Sequence, residues 1–176
     1  MTLTGEKADI ARMLADQRKN FLYTVRGITD EQASQRTTVS DLTLGGLLNH
    51  VVNNERSWMG IIAAMDESAE FDLSRMETEY VMSPGQSVAG LVEEFALVAA
   101  ASEAAIADLD LDLDVQVPLP TAPWAPERSW QSVRYTLLHI LRECAQHAGH
   151  ADIIRESLDG GNTTMSMGAE AGMTFD

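Results

Sequence analysis

Apolar residues recur every three to four positions through four long stretches of this chain, and each stretch opens or closes with helix punctuation. That periodicity allows little besides helices packed on helices. The first stretch runs from about Glu6 to Val25, with Thr4 as a candidate N-cap and Ile10, Met13, Leu14 and Phe21 on one face. A short helical turn capped by Thr29 is expected at Asp30 to Gln35. The second long helix is expected from about Leu44 to Met65, capped by Asp41 or Thr43, with Leu44, Leu47, Leu48, Val51, Trp58, Ile62 and Met65 forming its apolar face. The third starts after Ser87 and carries Val88, Leu91, Phe95, Val98, Ala99 and Ile106. The fourth, capped by Ser129, aligns Val133, Leu137, Ile140, Cys144, His147, Ala151, Ile154 and Leu158, and Gly160 closes it.

The connections are long. Asp66 to Gly85 mixes acidic residues with Phe71, Tyr80 and a Pro-Gly pair, and it reads as a crossover loop wrapping the bundle. The run DLDLDLDVQVPLP alternates apolar and acidic residues, but Pro118, Pro120, Pro123 and Pro126 point to a loop from Leu109 to Arg128. The expected architecture is all-α, a four-helix bundle over residues 1–160 followed by a flexible tail at 161–176 without regular structure.

Composition narrows the function classes. At 176 residues, 45% apolar and 22% charged, the chain suits one hydrophobic core. Twelve Lys and Arg against 27 Asp and Glu give a formal charge of -15, which argues against a nucleic-acid partner because phosphate binding needs clustered basic side chains. No stretch reaches the roughly 20 apolar residues of a membrane-spanning helix. The first residues lack the basic start and apolar run of a signal peptide, and a single cysteine, Cys144, sits in an apolar stripe; a soluble, cytoplasmic protein is expected.

Three of the four histidines, His139, His147 and His150, crowd the fourth helix around Glu143. At about 100° per residue, Glu143 and His147 project from one face, one turn apart. A buried carboxylate without a partner costs several kcal/mol, so a positive charge should meet it. A metal ion supplies that charge, and Glu and His at i and i+4 offer one oxygen and one nitrogen to it. His50, set among apolar residues in LLNHVVNNERSW, supplies a third ligand from a facing helix, with a core-border histidine as the alternative. His150 is a candidate for orienting a ligand or the substrate, against simple exposure; His139 reads as an ordinary surface histidine. Glu55 projects into the apolar face of its helix and needs a cation, with Arg56, Arg134 and Arg142 as candidates. The tryptophans Trp58, Trp124 and Trp130 read as core or lid anchors.

Together, LLNHVVNNERSW and YTLLHILRECAQHAGHADIIRESLDG resemble the DinB-like superfamily, in particular the branch similar to the metal-binding domain of mycothiol-dependent maleylpyruvate isomerase, over about residues 5 to 160. The resemblance implies an up-down-down-up bundle, a homodimer, and zinc or nickel bound by His50, Glu143 and His147 with a free coordination position. It also implies a small-molecule electrophile and a low-molecular-weight thiol such as mycothiol as partners. The expected activity is a thiol S-transferase or isomerase in which a metal-activated thiolate attacks the electrophile in a pocket between the second and fourth helices. The alternatives are a metal-dependent hydrolase using bound water, a non-catalytic metal-stabilised stress-response module, and a bundle without metal.

Overall fold

The structure, a computed structural model, describes residues 3–108 and 112–174. Its elements in chain order are α1 (Gly5–Thr24), α2 (Asp30–Ala33), α3 (Leu44–Ala64), a 3-10 turn (Leu73–Glu77), α4 (Val88–Asp108), β1 (Gln116–Pro118), β2 (Trp130–Ser132), α5 (Val133–Asp159) and α6 (Thr163–Glu170). The helices α1, α3, α4 and α5 are the four foreseen. Their contacts close a ring, with α5 against α1 and α3, and α4 against α3 and α1. The all-α bundle expected from periodicity is what forms.

Local signals set the helix ends. Thr43, not Asp41, caps α3 by accepting from the Gly46 amide at 3.1 Å, and Met65 ends the helix in the left-handed region at φ 48°. Thr29 forms a full capping box with Gln32 on α2. Thr4 occupies the N-cap position of α1, but its side chain makes no capping bond.

Two apolar clusters fill the ring. One gathers Phe21, Leu47, Leu48, Phe95, Ala151 and Ile154; the other gathers Ile10, Leu14, Ile62, Ile106, Leu137 and Ile140. A buried polar layer lies between them along the sequence of every long helix: Arg18 on α1, Glu55 on α3, Ser102 on α4 and, as a soft thiol, Cys144 on α5. Arg18 Nη2 and Nε donate to the two carboxylate oxygens of Glu55 at 2.6 and 3.0 Å, and Nη1 donates to Glu103 at 3.0 Å. The cation expected for Glu55 is therefore Arg18, and none of the three arginines proposed from sequence. Arg56 pairs with Glu94, Arg134 with Glu6 and Asp114, and Arg142 lies beside His139. Burial pushes the Cys144 thiol up to about 12, so it stays protonated in this layer.

Two connections differ from expectation. Within the run read as loop, β1 pairs antiparallel with β2, and Pro118 is tolerated as the last strand residue; Leu109 to Leu111 of that run lie outside the described residues. Because residues 130–132 are spent in β2, the cap of α5 falls on Ser132, whose hydroxyl accepts from the Tyr135 amide, and not on Ser129. The tail, expected without structure, carries α6, capped by Asn162 and docked on α1 where Glu170 meets Tyr23, Lys19 and Arg26; its last two residues, Phe175 and Asp176, are outside the described residues. Among the described residues, no helix is long and apolar enough to cross a membrane.

Replacing Glu55 with Ala removes the two-point partner of a guanidinium that is 5% exposed and leaves it only the half-exposed Glu103. Such a loss typically costs about 3–5 kcal/mol, whereas replacing both partners with apolar residues of similar size is often near neutral. Urea unfolding should therefore show Glu55→Ala strongly destabilised and the double variant Arg18→Met, Glu55→Leu close to the parent.

Candidate metal centre

Helix α3 offers His50 and helix α5 offers Glu143 and His147 to the same point in space. One donor atom from each side chain lies within 4.8 Å of the other two. Glu143 Oε2 is 3.8 Å from His50 Nε2 and 3.6 Å from His147 Nε2. Ligands bound tetrahedrally at about 2.0–2.2 Å from one zinc ion stand about 3.4 Å apart, so the carboxylate oxygen is already near ligand spacing from both nitrogens. Two imidazoles and one carboxylate form a donor set that suits zinc. The three residues thus fit a divalent cation.

The electrostatics favour the same reading. His50 and His147 are 3% and 5% exposed. Burial first, and then neighbouring His50, holds the His147 imidazole down to about 4, so at neutral pH its lone pair is free. The second carboxylate oxygen of Glu143 faces outward, 3.6 Å from Arg142 and 3.8 Å from His139. No lysine or arginine occupies the space between the three donors among the described contacts; Arg142 approaches the outer oxygen alone.

The remaining histidines divide. His150 Nδ1 lies 3.4 Å from His147 Nδ1, so one ring can donate to the other and leave His147 Nε2 facing Glu143. His139 packs edge-on against Trp58, with ring centroids 4.5 Å apart. The burial of His139 lowers its pKa.

Two residues that sequence reading missed meet His50 from the crossover loop. Glu79 Oε1 is 3.2 Å from His50 Nδ1, and the Tyr80 ring stacks on the imidazole at 4.2 Å and 17°. The Tyr80 hydroxyl lies 3.4 Å from His50 Nε2, on the side where the three donors converge. Burial raises the Tyr80 phenol above its ordinary pKa. One signal for this contact was present in the sequence. Gly45 and Gly46 open α3 one turn before His50, and a Cβ on Gly46 would fall inside the Tyr80 carbonyl.

A cavity of about 570 Å³ lies beyond Glu79, and none of the three donors lines it. Trp58, Ile61, Phe71 and Trp124 give it apolar walls, and Glu79 forms the side nearest His50. Its boundaries are α3 and the two long connections, not the space between α3 and α5 where a pocket was expected. Phe71 N–H donates to the Thr121 carbonyl and Arg128 donates to the carbonyls of Ala69 and Leu119, which ties the two connections together around it.

The His147 shift has a measurable consequence in protein stripped of metal. An unfolded histidine titrates near 6.5 and the folded one near 4, so between these values the unfolded chain binds the extra proton. Stability should fall as pH drops through that window, with the loss complete below about 4. Urea midpoints at pH 7 and pH 4 should show a drop larger by on the order of 2 kcal/mol in the parent than in His147→Gln.

No curated protein matches the chain. A crystal structure of a conserved protein from Enterococcus faecalis shares the fold, with a TM-score of 0.65 and 13% identity over 90% of this chain and 100% of that one. The family model described as mycothiol-S-transferase matches residues 9–160, which spans α1 to α5 and all three donor residues. The chain belongs to the mycothiol-S-transferase family, within the DinB-like superfamily that its sequence resembles.

Proposed function

We propose that this protein is a divalent-metal-dependent S-transferase that activates a low-molecular-weight thiol of the mycothiol type and passes its sulfur to an electrophile. His50, Glu143 and His147 are the proposed metal ligands, with zinc as the metal and nickel as the alternative. The observation that carries the reading is the convergence of these three donors within 4.8 Å in a member of a mycothiol-S-transferase family.

When bound, the metal supplies positive charge that lets a thiol ionise near neutral pH. The protein's own groups set up that event. His147 is neutral at physiological pH, so no proton has to leave it before it can ligate. Glu143 contributes a single negative charge through Oε2, while Arg142 and His139 flank Oε1 and keep the carboxylate from turning away. His150, facing His147 Nδ1, orients that imidazole. The cavity, walled by Trp58 and Trp124, takes the carbon skeleton of the electrophile. The thiol proton leaves to solvent, a carbon–sulfur bond forms, and the leaving group departs with its electron pair; an isomerase would instead expel the sulfur again. A buried free thiol at Cys144 and a thiol cosubstrate both suit a reducing compartment, so we place the protein in the cytoplasm.

Elemental analysis of the purified protein should find about one zinc per chain. The variant His147→Ala should lose both the metal and the thiol-dependent consumption of an aromatic chloro-electrophile. Full thiol transfer by metal-free protein would contradict the proposal, and turnover of an ester or amide without thiol would favour a hydrolase at the same site.

A further inference from the structure

The loop between α3 and α4 makes a set of contacts that all converge on one imidazole. His50 is 3% exposed, and its Nδ1 is buried without a hydrogen bond of good geometry. The polar atom at hand is Glu79 Oε1, 3.2 Å away but off the line of a straight bond.

The backbone that carries Glu79 is fastened from α3 itself. Asn49, adjacent to His50 and 4% exposed, donates to the carbonyls of Thr78 and Glu79, both at 3.3 Å. Its own side-chain oxygen accepts from Asn53 and Gln86 at 3.0 Å, so the amide cannot swing free. Arg75 donates to Ser57 at 2.8 Å and secures the loop upstream. Gly46 lets the Tyr80 carbonyl sit against the first turn of α3, and the Tyr80 ring then covers the face of the imidazole. A crossover that only wrapped the bundle would need neither a buried asparagine nor a glycine at these positions.

A neutral imidazole has one N–H and one lone pair. A carboxylate at Nδ1 selects the tautomer with the proton there and leaves Nε2 as the lone-pair nitrogen, which is the atom that faces Glu143. We infer that Glu79, held by the Asn49 latch, is a positioning residue for His50: it fixes the Nδ1–H tautomer and the ring orientation in which Nε2 meets the metal. The inference deepens the proposed function and rests on His50 being a ligand, but its tautomer half stands without any metal.

Long-range nitrogen–proton NMR correlations on metal-free full-length protein read the His50 tautomer directly. The parent and Glu79→Gln, whose amide oxygen still accepts a hydrogen bond, should show Nδ1–H; Glu79→Ala should show a mixture or Nε2–H. Zinc competition against a colorimetric chelator should then give roughly a 10- to 100-fold weaker affinity for Glu79→Ala, with Glu79→Gln between it and the parent. Asn49→Ala should weaken zinc binding as well, and adding Glu79→Ala to it should cost less than in the parent, because the two act through one contact. An unchanged tautomer in Glu79→Ala would overturn the inference even if zinc binds normally. The expected tautomer pattern in a protein that takes up no zinc would support the role of Glu79 and reject the metal site.

Discussion

The packing of α3 against α5 is the constraint from which the rest of the molecule follows. A metal-type site built from two helices works only if their faces meet in one register, since one residue of slip turns a side chain by about 100°. A buried charge fixes α3 against a third helix, α1, in the same way. Glu55 on α3 is clasped by Arg18 of α1, and Cys144, next to Glu143 on α5, lies in the same layer. An apolar pair could be as stable, but it would tolerate sliding in a way that a two-point guanidinium–carboxylate contact does not. His50 sits five residues before Glu55, and the donors of α5 flank Cys144. The polar layer thus fixes α3 against α1, and the donor cluster lies where α3 meets α5.

Around that alignment the long connections have divided duties. The segment between α3 and α4 reaches back to the second turn of α3, where Glu79 and Tyr80 bracket opposite edges of His50. With the segment between α4 and α5 it also encloses the apolar cavity. The same backbone therefore lines the cavity and touches His50.

Much of this was legible from residues alone, and the limits are physical. Glu143 and His147 could be found because four residues make one helical turn and both fall on a stripe that must be buried. His50 could be found because a histidine inside LLNHVV has few ways to be satisfied. Arg18 was legible too: it stands four after Leu14 and three before Phe21, on the apolar face of α1, and a buried arginine implies a buried acid. Glu79 and Tyr80 were not legible, because a loop has no period to project side chains from; Gly45, Gly46 and Asn49 mark the place where a loop lands but do not say which one. The strand pair was hidden by prolines, although Pro118 ends β1, where a missing N–H costs little. Helix α6 is short and is held by Glu170 meeting α1, a tertiary contact that local pattern does not contain.

The central claim is that one cation is held jointly by α3 and α5. X-ray absorption at the zinc edge of zinc-loaded protein, compared with His50→Ala and Glu143→Ala, tests it most directly. The account predicts two imidazole nitrogens and at least one oxygen at about 2.0–2.2 Å in the parent, with a changed shell or lost metal in each variant. A zinc shell that contains sulfur from Cys144, or one unaltered by both substitutions, would contradict it.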